Sequence, residues 1–199
     1  MNLPNKISLT RICMIPIFVA VFFLDGILPF NYGIAAIVFA IAALTDFVDG
    51  KIARSRGLVT NLGKFLDPIA DKVLVATATI LLMTMQGSLF GKLGNAAQGV
   101  YVATAIAICV ILARELIISA FRQIAAVNGI VMAAEKLGKY KAACQDVAIF
   151  VLILAADISG LTGQIVCYIG FGLLAIATVL TVWSGISYVV KNKQVLKEN

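Results

Sequence analysis

The sequence has 199 residues, of which 61% are apolar and 13% charged. A soluble domain is roughly 45–50% apolar and about 25% charged, so the composition excludes a soluble globular enzyme, a disordered chain and a nucleic-acid-binding domain. The formal net charge is +6 and there is no histidine, which excludes imidazole metal sites and Ser-His or Cys-His catalysis.

About 20 apolar residues cross a bilayer as one helix. In chain order the apolar runs predict six membrane-spanning helices, at residues 12–28, 33–45, 73–85, 96–113, 142–156 and 164–189. Pro4 suits the first turn of a short interfacial helix ahead of the first span, and Asn5 and Arg11 are expected at the rim of a cavity. The second and third runs reach full length only if helix continues through the charged residues between them. Pro68 is compatible with that if the third helix starts near residues 63–65, because a first-turn N–H has no intrahelical partner. Gln145 and Asp146 interrupt the fifth run. The connections at 25–33, 86–95 and 157–163 fall on one side, with Asp25 and Asp157 expected to be solvated. Those at 55–63 and 128–141 fall on the other, the last with Gly129 and Gly138 as helix stops. Trp183 and Tyr188 read as an interfacial belt. Cys13, Cys109, Cys144 and Cys167 lie in apolar runs and read as small packing residues.

Six spans put both termini on one side. Fifteen of the 16 Lys and Arg residues then fall on that side and only Lys92 on the other. Positive charge accumulates on cytoplasmic loops. The expectation is therefore an all-α integral membrane protein of the cytoplasmic membrane, a single domain over residues 1–199, with both termini and its charged chemistry at the cytoplasmic face.

Four of the seven aspartates, Asp46, Asp49, Asp67 and Asp71, crowd into one segment that joins two apolar runs. Carboxylates at such depth cost several kcal/mol unless paired or metal-bound. Asp46 and Asp49 are three residues apart and Asp67 and Asp71 four apart, so each pair shares a helix face. The short 55–63 loop folds the two helices into a hairpin on which the four carboxylates converge. An all-oxygen set of this kind suits hard divalent cations, Mg²⁺ or Mn²⁺ rather than Zn²⁺. Two such ions form the clamp used in phosphoryl transfer. Gly50 and Gly63 leave room for a bulky ligand beside the acids, Arg54 can pair with a phosphate, and Thr60 offers a hydroxyl. Salt bridges to Lys51, Arg54, Lys64 and Lys72 would explain one such acid but not four at these spacings.

The segment D-x-x-D-G-x-x-A-R-x8-G-x-x-x-D-x-x-x-D, with Asp46, Asp49, Gly50, Ala53, Arg54, Gly63, Asp67 and Asp71 at its fixed positions, resembles the signature of the CDP-alcohol phosphatidyltransferases. The resemblance extends to the six spans and the total length. It implies the six-helix CDP-alcohol phosphotransferase fold, a homodimer, and a polar cavity open to the cytoplasm. It also implies two divalent cations bound by Asp46, Asp49, Asp67 and Asp71, with Asp46 and Asp67 bridging both, and Asp71 as general base on the acceptor hydroxyl. Gly50, Arg54, Thr60 and Gly63 would form the binding surface for the CDP-linked lipid, with CMP as leaving group.

Acceptors differ within the family. A phosphorylated acceptor needs a cationic pocket, and Arg114, Arg122, Lys136, Lys139 and Lys141 are the candidates. Arginine suits forked contacts to phosphate and lysine supplies point charge. Glu115 could instead pair with Arg122 or orient an arginine, and the lysines could hold anionic lipid headgroups. The stretches A-R-E-L-I-I-S-A-F-R, E-K-L-G-K-Y-K and N-L-P-N-K-I-S-L-T-R are similar to those of family members that use CDP-diacylglycerol and glycerol 3-phosphate. Serine or inositol phosphate is the alternative acceptor. A cation-coupled transporter is the rival class; it would spread its acids over several spans, whereas here they crowd one hairpin. A non-catalytic scaffold leaves the spacing unexplained.

Overall fold

A computed structural model describes residues 3–56, 61–127 and 136–193, with side chains for 9–45, 69–126 and 137–193. Among the described residues every regular element is helical. The order is α1 (Leu3–Phe22), α2 (Asn31–Arg56), α3 (Asn61–Leu82), a short 3-10 segment (Phe90–Ala96), α4 (Ala97–Val127), α5 (Lys136–Asp157) and α6 (Gly160–Lys191). Two helical stretches, Phe90–Ala126 and Gly160–Lys191, are long and apolar enough by themselves to cross a membrane, and Leu9–Phe22 and Asn31–Thr45 are shorter apolar helices. The chain is a helical membrane protein.

The second and third helices run unbroken through their charged residues, α2 through Asp46 and Asp49 and α3 through Asp67 and Asp71. They pack against each other, and both touch α1 and α5. Alanines at 35, 36 and 42 are fully buried on α2, and small side chains let helices approach closely where the solvent is lipid. Beside them Phe18 packs at 6.0 Å from both Phe22 and Phe39, ring centre to ring centre. The main core joins α1, α2, α3, α5 and α6 through Phe18, Phe39, Leu74, Leu82, Ile149, Leu152 and Leu174. Helix α4 stands against α6 and touches α3 more lightly.

One end of the bundle is tied by two ionic caps. Lys92 Nζ donates to the carbonyls of Ala155 and Ala156 at 2.6 Å and of Ile158 at 2.8 Å. These carbonyls lie at and just past the C-terminus of α5, where helix acceptors run short of intrahelical partners and a cation is also favoured by the helix dipole. The Asp157 carboxylate accepts from the Gly33 N–H at 2.6 Å, in the first turn of α2, where an anion is favoured for the same reason.

Several expectations are corrected here. Asp157 is not merely solvated: it caps α2. Helix α3 begins at Asn61, so Pro68 lies past its first turn, and the helix continues although Pro68 has no N–H to give the carbonyl one turn back. Gly138 does not stop a helix; it lies inside the first turn of α5. Gly129 lies outside the described residues, as do the side chains of Asn5 and Lys136. Arg11 is not at a rim. It is fully buried, with Nε donating to the Ala42 carbonyl at 3.2 Å and to Thr45 Oγ1 at 3.4 Å. Of the two residues expected in an interfacial belt, Trp183 is exposed but Tyr188 is buried. Cys167 is buried in the core, and Cys13 and Cys109 are exposed.

Candidate active site

Helices α3, α4 and α5 enclose a cavity of about 270 Å³. Asp71 and Lys72 line it from α3, Glu115 from α4, and Lys141, Gln145 and Asp146 from α5, over an apolar floor that includes Val75 and Ile111. Sequence spacing explains the α5 contribution: Lys141 and Gln145 are four residues apart and share one face.

The carboxylate of Glu115 organises the cations. Its Oε1 accepts from Lys141 Nζ at 2.5 Å and from Arg114 Nη1 at 3.1 Å. Lys141 is only 4% exposed, and an ammonium so enclosed requires a nearby anion. Arg114 also reaches α6, with Nη2 donating to Ser184 Oγ at 3.0 Å. Close approach of α6 is possible because Gly185 carries no side chain; a Cβ there would lie 3.0 Å from Arg114 Cγ. Lys72 donates to Ser119 Oγ, and Ser119 in turn donates to the Glu115 carbonyl at 2.5 Å. Three helices are thus tied around one acidic residue.

The structure brings two of the expected site residues, Asp71 and Lys141, to one cavity. Arg114 adjoins it through Glu115. Arg122 is directed to α6, where Nε donates to Tyr188 Oη at 3.1 Å and the guanidinium lies 5.2 Å from the Tyr188 ring centre. Glu115 therefore pairs with Lys141 and Arg114, not with Arg122. Lys139 is exposed two residues from Lys141. Asp46, Asp49, Gly50 and Arg54 lie on α2, and Gly63 and Asp67 on α3, but their side chains fall outside the described residues, and Thr60 does so entirely. The backbone keeps the 46/49 and 67/71 registers on two helices in contact. Asp71, whose side chain is described, lines the cavity. A set made only of carboxylates suits a hard divalent cation better than a soft one.

The expectation that Glu115 could orient an arginine holds for Arg114, but sequence reasoning missed its bond to Lys141, Lys72 as a cavity residue and Gln145 as a lining residue. A signal existed for Gln145: an amide in an apolar helix is costly unless it has a use.

The cavity thus gathers carboxylates and ammonium groups between three helices, beside the helix pair that carries the aspartate-rich segment. The sequence profile of the CDP-alcohol phosphatidyltransferases matches residues 1–183, and the chain belongs to that family; it is a phosphatidyltransferase. Among its relatives is the CDP-diacylglycerol–glycerol-3-phosphate 3-phosphatidyltransferase of Bacillus subtilis, 38% identical over 98% of this chain and 97% of the relative. Proteins of the same name from Rickettsia typhi, 36% identical over 94% of each chain, and Salmonella typhimurium, 38% identical over 94% of this chain and 92% of the relative, are similar over most of their length. These relatives are bacterial, and the chain is a membrane protein of that type.

Proposed function

We propose that this enzyme transfers the phosphatidyl group of CDP-diacylglycerol to glycerol 3-phosphate, giving phosphatidylglycerol phosphate and CMP. The observation that carries the reading is the cavity in which Asp71 shares a wall with the Glu115-bound Lys141, in a chain similar over its full length to enzymes named for this reaction. Asp46, Asp49, Asp67 and Asp71 would hold two divalent cations, Mg²⁺ or Mn²⁺. When bound, these supply charge neutralisation at the diphosphate and at departing CMP.

The chain's own residues supply the remainder. Lys141 holds the acceptor phosphate, with Arg114 beside it across their shared Glu115; Arg122, Lys136 and Lys139 add positive charge at the approach. Gly50, Arg54, Thr60 and Gly63 form the surface for the CDP-linked donor. Asp71 accepts the proton of the acceptor's terminal hydroxyl as that oxygen bonds to the β-phosphorus. The bond from phosphorus to the bridging oxygen breaks, and its electron pair leaves with CMP. Asp71 must be ionised for this, and its proximity to the acceptor matters more than high basicity.

Six membrane spans in one domain over residues 1–199, both termini and the cavity mouth cytoplasmic, membrane lipids around it and a homodimeric assembly complete the reading. The charge asymmetry supports the orientation. Purified protein should release CMP from CDP-diacylglycerol only when glycerol 3-phosphate and Mg²⁺ or Mn²⁺ are both present. Turnover with serine or inositol phosphate instead would make it a sister phosphatidyltransferase.

A further inference from the structure

Gln145 is 1% exposed and lines the cavity of α3, α4 and α5, yet neither its Oε1 nor its Nε2 has a hydrogen-bond partner among the described residues. A buried amide with both ends unmade costs free energy that an apolar side chain of the same volume would not. Its neighbours do not relieve it: Lys141, one turn away on the same face, is turned to Glu115, and Lys72 to Ser119.

The chemistry of the wall narrows what would satisfy this amide. Asp71, Glu115 and Asp146 can only accept hydrogen bonds when ionised, and Lys72 and Lys141 can only donate. Among the described lining residues Gln145 is the one that does both. A phosphate dianion offers acceptors alone and would leave Oε1 unpaired. A hydroxyl carries the proton Oε1 lacks.

We propose that Gln145 is a specificity-determining residue that binds the non-reacting C2 hydroxyl of the acceptor. Oε1 accepts from that hydroxyl while Nε2 donates to an acceptor oxygen. This rests on the reading that glycerol 3-phosphate occupies this cavity, with its phosphate at Lys141 and its terminal hydroxyl at Asp71. The amide then tells a vicinal diol from a simple alkanol phosphate, and it holds the terminal hydroxyl in register with Asp71.

The test compares glycerol 3-phosphate with 3-hydroxypropyl phosphate, the same acceptor without its C2 hydroxyl, in the wild-type chain and in Gln145→Met, reading CMP release at saturating CDP-diacylglycerol. Wild type should favour glycerol 3-phosphate in kcat/KM by at least about tenfold, because a site built to bind a hydroxyl rejects an analogue lacking it. Gln145→Met should bring that preference close to one, with a Tm no lower than wild type. A methionine variant that loses activity equally on both acceptors, keeping the wild-type preference, would show a merely structural role and overturn the inference; so would a wild type that does not distinguish the two. If Gln145→Met does not fold, Gln145→Asn, one methylene shorter, carries the same comparison. A wild-type chain that releases no CMP with glycerol 3-phosphate overturns the proposed reaction itself, and this inference with it.

Discussion

Lys141 on α5 donates to Glu115 on α4 at 2.5 Å, and the same carboxylate oxygen accepts from Arg114 at 3.1 Å. One oxygen therefore fixes two cations that would otherwise repel each other. Glu115→Gln keeps the shape and removes the charge. Losing charge-assisted hydrogen bonds of this kind should lower stability by about 2 kcal/mol. It should also let Lys141 move, raising KM for glycerol 3-phosphate while leaving KM for CDP-diacylglycerol unchanged. Thermal unfolding in detergent and acceptor titrations check both parts. An unchanged acceptor KM would separate this pair from acceptor binding.

Asp71 lines the same cavity and is half-buried. Asp71→Asn cannot take a proton. General-base assistance contributes about 10²–10⁴-fold, so CMP release should fall by that factor, with helix content by circular dichroism unchanged. A variant with a normal rate would remove the base assignment while leaving the aspartate cluster as a metal site.

Much of this architecture is legible in the sequence because lipid leaves the backbone few choices. A helix satisfies its own N–H and C=O groups, so apolar runs mark α1, α4 and α6 directly. The spacing of Asp46, Asp49, Asp67 and Asp71 is meaningful for the same reason: helical periodicity turns three- and four-residue steps into faces. What the sequence hides is which helix ends meet. The Lys92 contact to α5 spans more than 60 residues and that of Asp157 to Gly33 spans 124. Nothing in the local pattern of either residue names its partner. The same holds for Arg114 and Arg122. As sequence both read as free phosphate ligands, but in the fold they reach Ser184 and Tyr188 on α6. Pro68 and Gly138 mislead for a different reason, since tertiary packing carries helix through residues that would end an isolated one.

The caps at the far end from the cavity give a prediction about stability alone. Lys92→Met removes a donor from three carbonyls, and Asp157→Asn weakens the charged acceptor of the Gly33 N–H. Each should lower stability, the lysine change by about 1–3 kcal/mol and the asparagine change by about 1 kcal/mol. Neither residue lines the cavity, so kcat per folded molecule should be unaffected. Tm in detergent against turnover at a low temperature separates the two quantities; a loss of turnover without a loss of Tm would mean that this end communicates with the site.

Helix α6 supplies an internal scale for packing, because a methyl group would meet different surroundings at three of its glycines. At Gly163 a Cβ would fall 1.9 Å from the Ile158 carbonyl oxygen, which is backbone and cannot move aside. At Gly170 it would meet the Leu152 side chain at 2.7 Å, which can rotate at some cost. At Gly172 nothing lies within 4 Å. Overpacking costs typically 1–3 kcal/mol, so Gly163→Ala should lose more than about 2 kcal/mol and Gly170→Ala about 1 kcal/mol. Gly172→Ala should gain up to about 1 kcal/mol, because alanine favours helix over glycine. The Tm order is therefore Gly172→Ala, wild type, Gly170→Ala, Gly163→Ala, from highest to lowest. If Gly163→Ala melted at or above Gly170→Ala, the tight entry of α6 beside the end of α5 would be wrong, and with it the seating of Lys92 on the carbonyls there.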